Sequence, residues 1–215
     1  MKKSVYSLVL SDDVIAAIDR MAYAKGMSRS GMINELLASV VSYTTPEMWV
    51  RRVLSKIADG LGSGTFVPMP AGANAYSMRS ALAYKYNPSL RFSVELDRRR
   101  SEDGGIGEMK ISLRSRSESL LLLLVEFFKL WQAIENEFAP DTRWFYSDGK
   151  ISRRLVPSDP NAPAEDVGDA IGRYALCIND AIGVYFSDTD RTGKKIAEKM
   201  RGICSDYYLS GSLTV

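Results

Sequence analysis

Histidine is absent from the 215 residues, and cysteine occurs only twice. Without histidine, the chain lacks the commonest nitrogen ligand of metals and the most versatile general acid or base near neutral pH. Cys177 and Cys204 are far apart and form no Cys-x-x-Cys pair, which argues against a structural zinc site and predicts reduced thiols packed inside helices. No nucleophile motif of the Gly-x-Ser-x-Gly kind occurs either. The sequence therefore predicts a protein that is not an enzyme, with no catalytic residues, no metal and no cofactor.

The chain also has no long apolar run and no strong charge of one sign. Its most apolar run, residues 120–125, falls well short of the roughly 20 residues that a membrane crossing needs. The formal net charge is only +2, so any contact with nucleic acid must come from a local arrangement of charge and shape. Asp12 and Asp13 interrupt the short N-terminal apolar stretch, which is therefore not read as a signal peptide. We expect a cytoplasmic protein without membrane contact.

The first forty residues predict a strand, a helix, a glycine turn and a second helix. Residues 4–10 are rich in β-branched and aromatic types, and Ser11 is the expected cap of the first helix. Gly26 is typical of a helix end, and Ser28 is the expected cap of the second helix. The apolar stripes comprise Val14, Ile15, Ile18, Met21 and Ala22, then Met32, Ile33, Leu36, Leu37, Val40 and Val41. Because so small a unit cannot bury both stripes alone, we expect two copies to share one core.

Several short motifs in this unit carry a resemblance to a known family. They are Lys2-Lys3, the strand end Leu8-Val9-Leu10-Ser11, the turn Gly26-Met27-Ser28-Arg29-Ser30, and Met32-Ile33. Residues 1–43 resemble the ribbon-helix-helix DNA-binding family, the Arc and MetJ class. Members place a two-stranded β-ribbon, one strand from each chain, in the major groove. The resemblance implies double-stranded DNA as the partner of a homodimer, or of a dimer of dimers.

The resemblance also assigns roles to individual residues. Those expected in the dimer core are Tyr6, Leu8, Leu10, Ile33, Leu36 and Leu37. Those expected to contact bases are Lys3, Val5, Ser7 and Val9, because successive strand side chains point to opposite faces. Those expected to contact phosphate are Lys2, Ser28, Arg29 and Ser30. Two of the base-facing residues are valines, which contact a thymine methyl group but form no hydrogen bond, so DNA shape is expected to contribute to recognition.

The remaining residues predict a separate domain of mixed α+β class. Residues 44–75 are assigned to a helix, from about residue 47 to residue 60, followed by a turn-rich linker. Residues 76–215 are assigned to a domain of β-hairpins and three to four helices. Strands are predicted at residues 90–96, 109–113, 144–146 and 151–156, and a strongly apolar core helix at residues 120–138. Oligomerisation, or binding of a small-molecule or protein effector, is the role expected of this domain.

Two features of that domain leave alternatives open. Arg98-Arg99-Arg100, together with Arg114 and Arg116, would suit a phosphate backbone, but acidic neighbours make a solvated hairpin end an equal interpretation. Asp188-Thr189-Asp190 resembles part of a cation-binding loop, although a helix-capping turn also explains these residues.

The function predicted from the sequence is that of a bacterial-type, sequence-specific transcriptional regulator, a repressor by type, which binds DNA as a dimer. Two alternatives stay open. One is a plasmid or mobile-element partition or copy-control protein that uses the same DNA contact. The other is a dimeric protein-interaction module with reduced DNA binding, which the two valines favour.

Overall fold

The computed structural model describes most of the chain, in four ranges: residues 4–61, 64–147, 150–187 and 193–215. Within these ranges the protein has six helices and one six-stranded antiparallel sheet, which confirms the α+β class. None of the helices described is long and apolar enough to cross a lipid bilayer. The chain divides into two compact units, Met1–Met48 and Trp49–Val215.

The first unit contains the two helices that the apolar spacing predicts, α1 (Asp12–Ala24) and α2 (Arg29–Val40). Gly26 follows α1 with a φ of 61°, a left-handed conformation that glycine adopts without steric cost. The Ser28 hydroxyl accepts a hydrogen bond of 3.2 Å from the backbone N–H of Gly31 and caps α2. The turn and the second cap therefore follow the sequence pattern.

The second unit is built on the sheet, whose strands lie in the order β1-β2-β3-β4-β6-β5. The strands are β1 Val67–Met69, β2 Ala75–Ala81, β3 Ser89–Leu96, β4 Gly107–Leu113, β5 Trp144–Ser147 and β6 Lys150–Leu155. Buried and more exposed residues alternate along β3, β4 and β6, so one face of the sheet lies on the core and the other carries polar side chains. β3 to β6 match the four predicted strands closely, whereas β1 and β2 were not predicted.

Four helices contribute to the same core as the buried face of the sheet. They are α3 Pro46–Gly60, α4 Glu118–Glu135, α5 Ala164–Ser187 and α6 Gly193–Tyr208. α5 is the central helix, since buried side chains recur along its whole length. Cys177 of α5 and Cys204 of α6 are buried free thiols, as the sequence predicts, and burial raises the pKa of both. Asp188 and Asp190, the proposed ion loop, lie outside the described residues, so that interpretation is untested.

Residues 44–75, assigned from the sequence to a helix and a linker, contain α3 and β1. α3 has the predicted extent, but Val50, Val53 and Ile57 are buried in the core of the second unit. A Cβ atom at Gly168 of α5 would lie only 2.8 Å from the Val53 carbonyl oxygen, so the two helix backbones are in close contact. β1 then adds an edge strand to the sheet. The apolar stripe of α3 belongs to this core, which periodicity alone does not reveal.

A buried ion pair joins the helices to the sheet. Glu135 at the end of α4 is fully buried, and its Oε1 accepts hydrogen bonds from Arg153 Nε (3.0 Å) and from the Tyr208 hydroxyl (2.7 Å). Its Oε2 accepts one from Trp144 Nε1 (2.7 Å). Arg153, on the core face of β6, also donates through Nη2 to the Val215 carbonyl oxygen (2.6 Å). The network ties α4, β5, β6 and α6 together, and both charges are satisfied by hydrogen bonds.

Replacing Glu135 with Gln should destabilise the second unit strongly, because the buried Arg153 guanidinium would lose its only carboxylate partner among the described residues. We expect the free energy of unfolding to fall by about 3–5 kcal/mol in urea titrations followed by circular dichroism. Glu137→Gln is the matched control, since Glu137 forms an exposed pair with Arg201 and its loss should leave the midpoint nearly unchanged. Equal midpoints for the two variants would contradict this role of Glu135.

Candidate nucleic-acid interface

Residues 4–10 form a segment that is neither helix nor strand and is exposed along its whole length. Val5 and Val9 are fully exposed, and Leu8 and Leu10 are 61% and 39% exposed, so side chains on both faces of the segment contact solvent. The backbone of this segment pairs with no other strand in the described part of the single chain. A strand exists only with a hydrogen-bonded neighbour, and the neighbour predicted from the sequence is a second copy of the segment. The predicted ribbon therefore stays a prediction.

The residues predicted to contact bases are placed only in part. Lys3, like the phosphate contact Lys2, lies outside the described residues. Val5, Ser7 and Val9 are exposed in the same segment, where they alternate with the predicted core residues. No described residue of the single chain buries either set.

The two helices of the first unit bury little of the apolar surface that they carry. Ile18, Ala22 and Met32 form a small buried cluster, and Ile33 and Leu36 pack partly buried against it. Other apolar side chains of the helices stay exposed: Val14, Met21, Leu37, Val40 and Val41. At roughly 1.5–3 kcal/mol for each fully buried side chain, this cluster offsets only a small part of the entropy lost on ordering the unit. The unit therefore needs further burial, and the exposed apolar residues are available for it.

The N-terminus of α2 has the composition of an anion site. Ser28, Arg29 and Ser30 begin the helix as predicted, and its first turn contains no acidic residue. The Ser28 and Ser30 hydroxyl oxygens lie 3.4 Å apart. The first backbone N–H groups of a helix lack partners within the helix, and the helix dipole is positive at this end. Ser28 already occupies one of these groups, so a phosphate would meet the others and the two hydroxyls.

Arg29 is held by a carboxylate in the structure. Its Nε and Nη2 donate to the two carboxylate oxygens of Asp19, over 2.7 and 2.6 Å. Hydrogen bonds from Arg29 lower the pKa of the Asp19 carboxyl group, and those same bonds raise the pKa of Arg29, so both groups stay charged at neutral pH. Sequence reasoning assigned Arg29 to phosphate and missed Asp19, because the two residues meet only through the crossing of α1 and α2.

This ion pair bears directly on phosphate binding. The Asp19 and Arg29 side chains are about half exposed, and exposed ion pairs contribute little to stability even with good geometry. A phosphate group offers guanidinium the same two-oxygen geometry as a carboxylate. Arg29 can therefore exchange Asp19 for phosphate, but the negative charge of Asp19 would remain beside the site and oppose the ligand.

The second unit has a cavity of about 810 Å³ beside the end of α4. Three arginine side chains line it, and each has a carboxylate partner: Arg143 with Asp103, Arg153 with Glu135, and Arg154 with Asp97. The cavity is large enough for a small effector. Because each of these arginines is paired with a carboxylate, the lining favours neither an anionic nor a cationic ligand. Binding of an effector therefore stays a prediction.

Replacing Asp19 with Asn should increase the affinity of the full chain for duplex DNA, because the variant frees Arg29 and removes a negative charge beside the phosphate site. Fluorescence anisotropy at several salt concentrations should show the salt slope steepened by about 1, as for one added phosphate contact. Glu35→Gln is the matched control, since it removes the same charge from the Lys25–Glu35 pair, which joins the end of α1 to the middle of α2. If both variants bind alike, the effect is one of net charge, and Arg29 does not contact phosphate.

Comparisons of the chain with protein-family models, with curated proteins and with solved structures found no match. The resemblance of residues 1–43 to the ribbon-helix-helix family therefore stays a prediction. It rests on the order of an apolar segment, a helix, a glycine turn and a serine-capped helix.

Proposed function

We propose that the protein is a dimeric, sequence-specific DNA-binding transcriptional regulator whose residues 4–10 pair with those of a second copy. The observation that carries the proposal is the state of the first unit. An exposed apolar segment without a strand partner precedes two helices, and those helices bury only a three-residue cluster. Two copies that pair these segments would satisfy their backbone groups and bury one face of each strand together with the exposed helix residues.

The two faces of such a ribbon would differ in composition. One face would carry Tyr6, Leu8 and Leu10, which suit the apolar interior between two helix pairs. The other would carry Ser7 between two valines and would meet the floor of the major groove. Ser7 can hydrogen-bond a base edge, whereas the valines favour thymine methyl groups, so recognition would favour A·T steps and depend on DNA shape.

In this proposal, residues at the start of α2 contact the DNA phosphates. Ser28 and Ser30 would bring hydroxyl groups to the DNA backbone, and Arg29 would follow once it leaves Asp19. Such contacts position the protein on the duplex without selecting a sequence. Oligomerisation or effector binding would be the task of the second unit, which has its own core and a cavity.

Selection of bound sequences from a random duplex pool, with the full chain at moderate salt, tests this function directly. We expect enrichment of a pseudo-palindromic motif, since a twofold dimer reads two related half-sites. A pool that shows no enrichment, together with weak and steeply salt-dependent binding, would contradict sequence-specific regulation.

Two neighbouring substitutions separate dimerisation from DNA contact. Leu8→Glu should give a monomer that no longer binds DNA, because it places an unpaired charge in the shared core. Val9→Glu should leave the dimer intact and abolish DNA binding, because the new carboxylate would face the groove and the phosphates. Sedimentation gives the mass and anisotropy gives the affinity. If Leu8→Glu stays dimeric, the second unit holds the two chains together.

A second candidate is a dimeric protein-interaction module with reduced DNA binding. The Asp19–Arg29 pair favours it, since the arginine expected at phosphate is neutralised within its own chain. Under this function Leu8→Glu would again give a monomer. Val9→Glu and Asp19→Asn would both leave DNA affinity unchanged, which distinguishes the two functions.

A further inference from the structure

The exposed face of the sheet in the second unit carries a row of cations in register. Arg79 of β2 lies opposite Arg91 of β3, Arg91 lies opposite Ser112 of β4, and Ser112 lies opposite Lys150 of β6. Residues opposite each other on antiparallel strands point to the same face. We name these four residues the basic row. Its three cations are exposed.

The cations of the basic row are without an ion-pair partner in the part of the chain that the structure describes. No carboxylate among the described residues lies within ion-pair distance of Arg79, Arg91 or Lys150. Among the described residues, the one hydrogen bond from these cations to a side chain is long, from Arg91 Nη2 to the Ser77 hydroxyl (3.4 Å). Like charges directly opposite each other in a sheet are destabilising, so the Arg79–Arg91 pair carries a cost that the fold itself does not explain.

The opposite end of the same face is balanced. Lys110 of β4 lies 2.6 Å from a carboxylate oxygen of Glu95 and 3.3 Å from one of Glu108. Arg154 of β6 pairs with Asp97. Positive charge is therefore concentrated at the end of the sheet where β2 ends and β3 begins, although the net charge of the whole chain is only +2.

The structure separates the arginines that the sequence analysis grouped together. Arg114 and Arg116 follow β4 directly, and the pairing of Leu90 with Leu113 places the end of β4 beside the start of β3. Both arginines are exposed and extend the basic end of the face. Residues 98–100 lie in the β3–β4 connection, at the opposite end of the sheet.

We propose that the basic row binds the phosphate backbone of duplex DNA, as a contact additional to that of the first unit. Three strand intervals of 4.7–4.9 Å make the row about 14 Å long, an axial length over which one DNA strand presents about four phosphate charges. Ser112 within the row and Ser89 beside it supply hydroxyl donors for phosphate oxygens. Duplex DNA as the ligand rests on the proposed function.

The composition of the row favours DNA over an acidic protein. Interfaces between proteins centre on aromatic and apolar side chains. From Arg79 to Lys150, the row consists only of cations and a hydroxyl group. An arginine-rich surface without an apolar centre recognises charge and spacing, and so contributes affinity without sequence preference.

The test compares three full-length proteins on a short labelled duplex of mixed sequence, by anisotropy across a salt series. The Arg79→Gln/Arg91→Gln/Lys150→Gln variant should bind at least about tenfold more weakly at moderate salt, with its salt slope reduced by about 3. Lys129→Gln/Lys194→Gln/Lys195→Gln removes the same charge from exposed positions elsewhere and should match the wild type. Arg29→Ala reports separately on the first unit.

The outcomes distinguish this inference from the proposed function. If the row variant loses affinity and Arg29→Ala does not, the row binds DNA and the assignment of the first unit is wrong. If Arg29→Ala loses affinity while the row variant matches the charge control, the row is not a DNA surface and the inference is overturned. It is also overturned if the wild type binds single-stranded DNA or polyglutamate through the row and leaves duplex DNA unbound.

A stability measurement shows that the row variant is folded. Because substitution relieves the repulsion between Arg79 and Arg91, the variant should unfold at the same urea concentration as the wild type or at a higher one. A lower midpoint would mean that the arginines support the sheet, and the inference would then lose its physical basis.

Discussion

The first unit is limited by how little apolar surface a single chain of this length can bury. Two helices and one N-terminal segment bring many aliphatic side chains, but only three of them form a buried cluster within the chain. The apolar side chains that stay exposed limit the stability of the isolated unit. The same side chains would form its proposed interface. Under the proposed function, dimerisation and DNA contact would depend on one event, since the strand that would complete the core is also the strand that would enter the groove.

The second unit is stabilised by interactions within its own chain. Its sheet and four helices share a continuous apolar core, and a buried pair of opposite charges is satisfied on both sides by hydrogen bonds. Such a pair adds little net stability but penalises alternative packings, because any rearrangement leaves a charge unpaired. The chain thus combines a unit with a continuous apolar core and a unit with only a small buried cluster, which would suit the proposed regulator.

Periodicity and turn chemistry in the sequence predict most of the secondary structure. The spacing of apolar residues located α1, α2 and α3, and alternation located β3 to β6, because both signals reflect burial of one face. β1 was not predicted since it is three residues long, and β2 carries serines and an arginine where apolar residues would mark a strand. The core that α3 joins could not be predicted, because a stripe shows which face is buried but not against what.

The candidate site could be predicted less completely than the fold. Serines and an arginine at the start of a helix are a local signal of a phosphate site, and this signal can be read directly from the sequence. The Asp19–Arg29 pair depends on the angle at which two helices cross, and the basic row depends on strand register, so neither is visible in a linear pattern. In both cases the fold brings together charged residues that are far apart in sequence, and the sequence pattern does not show which of them meet.

The order of the strands has a consequence for how the second unit assembles. β1 to β4 lie side by side in sequence order, so the pairings among these four strands form through short loop closures, which are fast. β6 reaches β4 only after α4 and β5 have been made, and β5 then occupies the edge. Glu135, Trp144 and Arg153 all belong to this later segment, so their hydrogen bonds can form within it before it docks. α4, β5 and β6 can therefore dock on the meander of β1 to β4 together, and that docking is the long-range step of folding.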